Sequence, residues 1–550
     1  MTQLVALPRE ADFEEIPIAA TDPKFGATEL HHHISAPGPE LEGGVLEGKS
    51  SLGDRRWVTA ALMMVMVLAS MEQTVTSTAM PTIIGDLQGL EHYAWVASIY
   101  LLCSTVSMPV YGRLADAWGR RIMILGAIII FTIGSLFAAN AHSMTQLIIF
   151  RGMQGLGAGG IMPVVLTILG DIYTLEERAG VQGLFSSVWG TASLAGPALG
   201  ALLVRTLGWR SIFYVNLPFG VLGLFVMVWK YRDRQQTHKV DLDLPGAALL
   251  SVLCVAVLLF VTRVGPQSPA WATLWPMGLL IASVVSGIWF FIHERGAANP
   301  ILPPSFLTHP TIGTSLLGGC LMGVTFLSID TYVPLYVQGG RGGGAAGAAA
   351  VVTPVMLTWA ISGIFSAPMV VRWGFRRTCQ LGSTLILIGV TGLLLCTIFD
   401  APQWALTGVL AITGFGFGPT SMSYLLSAQE VVDWRQRGLV TSNVMFSRTI
   451  GGALGIGALG GLLTTLIQPG LAALHARNVS PNQIMDERLR NLLPPDVLVS
   501  LQHVIVHSLA WVFATMLAVA VAGLFVTLRI PNNKAKRKLT AAETAEAMAA

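Results

Sequence analysis

The sequence predicts an all-α integral membrane protein with fourteen membrane-spanning helices. Of its 550 residues, 53% are hydrophobic and 11% are charged, whereas soluble domains carry about 25% charged residues. A helix needs about 20 apolar residues to cross a bilayer. Fourteen such runs follow one another, and we number them spans 1 to 14: 57–83, 91–111, 121–140, 143–170, 179–204, 211–229, 244–263, 272–292, 312–337, 346–370, 378–398, 403–428, 438–466 and 504–528.

Basic residues fix the predicted orientation of these spans. With the N-terminus in the cytoplasm, the cytoplasmic connections hold about three times as many Lys and Arg residues as the outer ones. Short cytoplasmic loops carry such an excess in multi-pass proteins, and losing one span in mid-chain would destroy the pattern. We therefore expect a multi-pass protein of the cell membrane (the inner or cytoplasmic membrane), with both termini in the cytoplasm.

The stretch Gly112–Arg121 connects spans 2 and 3. It contains Arg113, Arg120 and Arg121, and Asp116 lies between its two glycines. Glycine permits a sharp turn and a close backbone approach, and Asp116 can bind an arginine or the positive N-terminus of a neighbouring helix. A basic loop that only fixes topology would explain the arginines but not the aspartate.

A shorter version of this stretch occurs later in the chain. Arg372–Arg377, between spans 10 and 11, resembles Ala117–Arg121. If spans 7 and 8 are an insertion, the two loops occupy equivalent positions in two six-helix halves, as in transporters built from parallel repeats. We therefore predict a disordered cytoplasmic tail at 1–54, an N-terminal six-helix bundle at 55–235, two inserted helices at 236–300, a C-terminal six-helix bundle at 301–530 with a long external loop at 468–503, and a cytoplasmic tail at 531–550.

Four ionisable side chains lie deep within the predicted spans. Such groups are costly in a bilayer and mark functional sites by default. At about 1.5 Å per residue, Glu72 in span 1 and Arg151 in span 4 lie at similar depths, so they can pair or share a polar cavity; a purely structural ion pair is the alternative. Asp330 in span 9 can meet a cationic substrate or a second proton, or take a structural role. Arg448 in span 13 can bind an anionic group or contribute to packing.

Aromatic and flexible side chains of the spans could line a substrate pocket. The candidates are Trp95, Tyr100, Phe326, Tyr332 and Met445. Aromatic residues at helix ends also anchor proteins at the membrane interface, so both interpretations stay open.

The connection between spans 2 and 3 resembles the loop between helices 2 and 3 of the major facilitator superfamily of secondary transporters, with the pattern G-x-L-[AS]-D-[RK]-x-G-R-[RK]. It departs from the pattern at Ala117, which stands where a basic residue is usual. The resemblance implies the major facilitator fold, two six-helix bundles, here with two extra helices. It also implies that Asp116 latches the inner gate with the help of Arg113, Arg120 and Arg121.

Two further stretches resemble the fourteen-spanner drug:proton antiporters of this superfamily. Met71–Pro81 is similar to their first-helix signature L-D-x-T-I-V-x-x-A-L-P, with Glu72 in place of the aspartate. Arg151–Gly157 matches the pattern R-x-x-Q-G-x-G, in which the arginine is linked to proton transfer. The resemblance thus implies a proton-coupling role for Glu72 and Arg151, to which we add Asp330 as a second candidate acid.

A third stretch, in span 5, resembles the antiporter pattern of the fifth helix, although Ala201 replaces its final glycine. Small residues allow close helix contact, and proline bends a helix; ordinary small-residue packing is the alternative for any single glycine. The residues assigned to helix packing and the antiporter pattern are Gln154, Gly155, Gly190, Gly196, Pro197 and Gly200.

Together these features favour a proton-coupled antiporter that exports amphipathic, drug-like compounds from the cytoplasm. The alternatives are a narrow-specificity exporter of an endogenous metabolite, siderophore or toxin, and a non-transporting membrane receptor or scaffold. Expected partners are a small-molecule substrate, protons and the lipid bilayer, with a periplasmic adaptor if the source is a Gram-negative bacterium, and no nucleic acid. We expect no enzyme activity, cofactor or metal site, because the sequence lacks a G-x-x-x-x-G-K-[ST] phosphate loop and its five cysteines lack metal-ligand spacing.

Overall fold

A computed structural model confirms the all-helical membrane protein. It describes residues 52–87, 93–173, 202–232, 243–263, 274–343, 345–475 and 495–531, together with isolated positions between 177 and 200. Within this part of the chain, ten helices are long and apolar enough to cross a membrane.

The described helices coincide with the predicted spans. Spans 1 to 4 are the helices Leu52–Leu87, Tyr93–Trp118, Arg120–Ala139 and Met144–Ile172. Every described residue between 177 and 207 is helical, as expected for span 5. Span 6 consists of Ser211–Tyr214 and Asn216–Lys230, and spans 7 and 8 are Leu244–Arg263 and Leu274–Gly296. Spans 9 to 14 are Pro310–Leu335, Ala345–Ile398 (spans 10 and 11 together), Gln403–Glu430, Arg437–His475 and Pro495–Thr527.

The connection between spans 2 and 3 is tighter than predicted. The sequence assigns ten residues to it, but the helix of span 2 continues to Trp118 and the next helix begins at Arg120. Gly119, between them, has a φ of 96°, a conformation that glycine adopts without steric cost. Gly374, at the matching place between spans 10 and 11, has a φ of 81°. The two loops that resemble each other in sequence therefore share the same kind of glycine turn.

Two helices extend into the predicted external loop at 468–503. Span 13 continues to His475, and the helix of span 14 starts at Pro495. Proline is favourable in the first turn of a helix, where its missing N–H costs nothing, so Pro495 opens span 14. Residues 476–494 lie outside the described part of the chain, as do the tails, except that residues 52–54 already belong to the first helix.

The halves of the protein have separate hydrophobic cores. One is built from buried side chains between Val58 and Tyr231, and the other from side chains between Met322 and Ala520. The inserted spans 7 and 8 pack where the halves meet, because Leu250 and Phe290 join a cluster that includes Phe446 of span 13 and side chains of span 2.

Span 9 begins at a histidine cap. His309 precedes Pro310, and its Nδ1 accepts hydrogen bonds from the backbone N–H groups of Thr311 (3.2 Å) and Ile312 (3.3 Å). A protonated Nδ1 cannot accept a hydrogen bond. Consistently, burial lowers the pKa of His309 from its usual value of 6.5.

We expect this cap to make the stability of the protein depend on pH between about pH 7 and pH 5. Because the pKa of His309 is lower in the folded protein than in the unfolded chain, the cap gives its full stabilisation above the usual histidine pKa. That stabilisation is lost as the pH falls toward the pKa of the folded state. His309→Asn keeps an N-cap acceptor that does not titrate. On acidification, the free energy of unfolding of the wild type should fall by about 1 kcal/mol relative to that of this variant. The measurement is the difference in Tm between the two proteins at each pH. A difference in Tm that stays constant with pH would contradict the expectation.

Candidate functional site

Glu72 and Arg151 form a direct ion pair inside the N-terminal half. Arg151 Nη1 lies 2.6 Å from Glu72 Oε1, and the two side chains are 1% and 3% exposed for Arg151 and Glu72, respectively. The same nitrogen donates to Gln154 Oε1 at 2.7 Å. The structure therefore brings together the two groups whose depths matched in the sequence, and it adds the predicted Gln154 as a partner of the arginine.

The second oxygen of the Glu72 carboxylate binds a side chain that the sequence did not single out. Asn216 Nδ2 donates to Glu72 Oε2 at 2.6 Å and lies 2.8 Å from Ser135 Oγ. Ser135 also accepts from Gln154 Nε2 at 3.2 Å, and Thr76 Oγ1 donates to Glu72 Oε1 at 3.2 Å. Spans 1, 3, 4 and 6 thus supply one buried polar network around a single carboxylate.

Close helix contact positions this network against span 2. A Cβ at Gly155 would lie 2.5 Å from the carbonyl oxygen of Tyr100, so only glycine fits there. Of the other predicted packing residues, Gly196 and Gly200 are buried, whereas Gly190 and Pro197 lie outside the described residues.

Tyr100 separates the ion pair from a central cavity. The Arg151 guanidinium carbon lies 4.2 Å from the centroid of the Tyr100 ring, a distance at which a cation interacts favourably with an aromatic face. Tyr100 also lines a cavity of about 390 Å³ whose walls come from both halves. That volume lies in the range of small-molecule sites.

Some of the predicted pocket residues line the cavity, and one does not. Phe326 and Met445 line it, and so do Trp359 and Met356 of span 10, which the sequence did not single out. The prediction for Tyr332 is wrong, since its hydroxyl donates to the backbone oxygen of Ile456 and the residue packs between spans 9 and 13. The Trp95 side chain lies outside the described part of the structure.

Asp330 and Arg448 both line this cavity. Asp330 is therefore a cavity residue rather than a member of the Glu72 network. Arg448 places its guanidinium carbon 5.9 Å from the Trp359 ring centroid, so it faces the aromatic wall as well as packing within span 13.

Asp116 connects the two halves directly. Its Oδ1 accepts from the backbone N–H of Gly438 at 2.9 Å, and its Oδ2 accepts from that of Leu439 at 2.6 Å. Both N–H groups belong to the first turn of span 13, where a helix offers unpaired donors and a partial positive charge. Asp116 is 8% exposed, so water competes little for these bonds.

The predicted helpers of Asp116 take different partners. Arg120, which is fully buried, contacts Asp116 Oδ1 at 3.1 Å and Asp171 Oδ2 at 3.0 Å. Arg121 Nη2 donates to the carbonyl oxygen of Val228 at 2.6 Å. Arg113 donates to Asn299 Oδ1, in the connector after span 8.

These contacts distinguish the predicted gate residues by their partners. Arg120 is the arginine that pairs with Asp116. Asp171, at the end of span 4, is a member of the cluster that the sequence analysis did not identify.

The sequence matches one family model over most of its length. The model described as Major Facilitator Superfamily covers residues 62–456. The Multidrug transporter protein MdtP of Bacillus subtilis is 34% identical over 439 residues, which are 78% of this chain and 80% of that protein. The Multidrug resistance protein 3 of the same organism is 30% identical over 504 residues, covering 90% of this chain and 98% of that protein.

Solved structures share the fold at low sequence identity. The human organic anion transporter MFSD10 superposes with a TM-score of 0.57 at 13% identity, covering 86% of this chain and 99% of that chain. The proton:xylose symporter XylE gives a TM-score of 0.56 at 14% identity, covering 90% and 98%. At such identities the likeness concerns the fold alone.

Proposed function

The chain belongs to the major facilitator superfamily, and on that premise we propose that it is a proton-coupled antiporter that exports amphipathic, drug-like compounds from the cytoplasm. It is a membrane transporter rather than an enzyme. Its relatives in Bacillus subtilis are named as multidrug proteins, which supports a drug-like substrate. The observation that carries the proposal is the position of Tyr100, between the Glu72–Arg151 pair and the cavity.

Proton coupling would act through this tyrosine. A proton that binds Glu72 neutralises the carboxylate and removes its attraction for Arg151, which leaves the guanidinium with the neutral and weaker partner Gln154. Arg151 is then free to shift against the Tyr100 ring that it contacts at 4.2 Å. Because Tyr100 also lines the cavity, the charge of Glu72 changes the shape of the substrate site.

Asp330 would act at the other side of the same cavity, as the acid that meets the substrate or a second proton. It belongs to span 9 in the C-terminal half, whereas Tyr100 belongs to span 2. A substrate in the cavity therefore contacts both halves, as alternating access around a midplane site requires.

The Asp116 cluster would form the inner latch of this cycle. It ties span 2 to the N-terminus of span 13, and these belong to different halves. Arg120 holds the carboxylate in place and is itself held by Asp171, while Arg113 extends the latch to the connector after span 8. We place this face and both termini on the cytoplasmic side of the cell membrane, following the basic residues of the connections.

Transport by purified protein in lipid vesicles tests the proposal. Ethidium is a permanent cation that an acidic interior does not trap by itself. Vesicles with an acidic interior should accumulate it as protons leave, and a protonophore should abolish the accumulation. Accumulation that needs no pH gradient, or that survives the protonophore, would contradict proton coupling.

A panel of chemically unrelated amphipathic dyes and drugs tests the breadth of the substrate range in the same vesicles. Transport of several members is expected for a multidrug exporter. Transport of a single member would favour an exporter of one endogenous compound.

A further inference from the structure

The central cavity carries one charge of each sign. Asp330 and Arg448 are the two charged side chains among its described lining residues, and within the described part of the chain neither forms an ion pair. The Arg448 guanidinium lies near the sulfur of Met445, with Nη2 3.4 Å from Sδ, and near the Trp359 ring. Asp330 is exposed to the cavity and Arg448 is half-buried, so both groups can bind complementary charges of a ligand.

A backbone contact fixes the relative heights at which Asp330 and Arg448 leave their helices. A Cβ at Gly323 would lie 1.9 Å from the backbone oxygen of Arg448, so span 9 touches span 13 at this level. Asp330 follows Gly323 by seven residues on span 9, which is nearly two turns and about 10 Å along the helix, on the same face. Asp330 is therefore about 10 Å further along the cavity than the level at which Arg448 leaves its helix.

Aromatic side chains line the same cavity as the two charges. Phe326 lies between Gly323 and Asp330 in sequence, and its ring is 4.6 Å from the Trp359 ring, centroid to centroid. Phe417 packs edge-on against Phe326 at 5.5 Å. Flat aromatic molecules interact favourably with such rings, and the cavity volume of about 390 Å³ suits a single small molecule.

We propose that the cavity selects aromatic zwitterions, molecules with a flat body, a cationic group that binds Asp330 and an anionic group that binds Arg448. This inference rests on the proposed function only in taking the cavity as the substrate site. A purely cationic compound neutralises Asp330 and leaves Arg448 without a counter-charge, and a purely anionic compound does the reverse. The zwitterion satisfies both charges at once and stays neutral as a whole during its passage.

Three xanthene dyes of the same shape test the inference. The rhodamine with two primary amino groups and a free benzoate is a zwitterion, its methyl ester is a cation, and fluorescein is an anion. Binding to the purified protein in lipid nanodiscs is measured by fluorescence anisotropy, without any pH gradient. The wild type should bind the zwitterion at least about tenfold more tightly than the ester or fluorescein.

Variants that remove one charge test which group of the dye binds to Asp330 and which binds to Arg448. Asp330→Asn should lower affinity for the zwitterion and the ester about tenfold, and Arg448→Gln should do so for the zwitterion and fluorescein. Arg448→Lys keeps the charge and should retain most of the preference for the free benzoate. Equal affinity of the wild type for all three dyes, or the same loss for all three in either variant, would overturn the inference.

Proton coupling and the preference for zwitterions are tested by separate measurements. Absence of gradient-driven ethidium accumulation would remove proton coupling but would leave the dye preference measurable in nanodiscs. Conversely, normal proton-driven transport combined with equal binding of the three dyes would overturn only the zwitterion inference.

Discussion

Glu72→Gln should abolish proton-driven accumulation of substrate in vesicles while leaving exchange of substrate across the membrane measurable. Glutamine has nearly the shape of glutamate and keeps an oxygen that can accept from Arg151, but it cannot bind and release a proton. Because Arg151 lies 2.6 Å from Glu72 and is 1% exposed, the variant also leaves a buried cation without its counter-charge, which typically costs several kcal/mol. The readout is therefore the ratio of gradient-driven accumulation to exchange, which corrects for the amount of folded protein.

Two further variants serve as controls for Glu72→Gln. Glu72→Asp keeps a titratable carboxylate and should restore part of the gradient-driven accumulation. Asp400→Asn removes a carboxylate whose side chain is 88% exposed, at a left-handed backbone position with a φ of 46° that asparagine tolerates. It should leave accumulation unchanged, and wild-type accumulation by Glu72→Gln would refute the role assigned to Glu72.

Asp116→Ala should produce the second large loss, through the latch rather than through the proton. The change removes both acceptors from the N–H groups of Gly438 and Leu439 and one carboxylate from the buried Arg120. Hydrogen bonds to charged groups contribute about 1.5–3 kcal/mol each. Losing two of them should shift the equilibrium between the closed and open latch by about 100-fold or more toward the open state. Transport should fall toward background, and the distance between spin labels on spans 2 and 13 at the latch end should increase.

Asp116→Asn is the matched control for the latch. Its single side-chain oxygen can still accept one of the two N–H groups, and its amide adds no charge, so an intermediate loss is expected. Wild-type transport and unchanged label distances in Asp116→Ala would show that these bonds do not hold the gate.

The main features of the site were predictable because charge in a bilayer is rare. Glu72 and Arg151 stand out from apolar surroundings, and their similar depths indicated that they could meet. Asp116 stood out for a different reason, as an acid between glycines in a basic connection. The repeated Trp-Gly turn, at Gly119 and Gly374, likewise followed from the sequence.

The neutral partners could not be predicted in the same way. Many polar side chains in membrane helices bond to the backbone of their own helix, and the sequence does not distinguish Asn216 and Ser135 from these. Only the packing of spans 3 and 6 brings them into the network around Glu72. Asp171 joins the Asp116 cluster through Arg120, a contact between spans 3 and 4 that sequence spacing does not specify. Trp359 was missed and Tyr332 was wrongly assigned because the face that a residue presents depends on how each helix is rotated.

Proton release on substrate binding is the most direct test of the central claim, that the carboxyl group of Glu72 exchanges protons as the substrate binds. Purified protein is mixed with ethidium in weakly buffered solution, and the pH is followed with an indicator dye. The account predicts that the wild type releases protons on binding and that Glu72→Gln binds the dye without releasing any. Equal proton release by the wild type and the variant would contradict it.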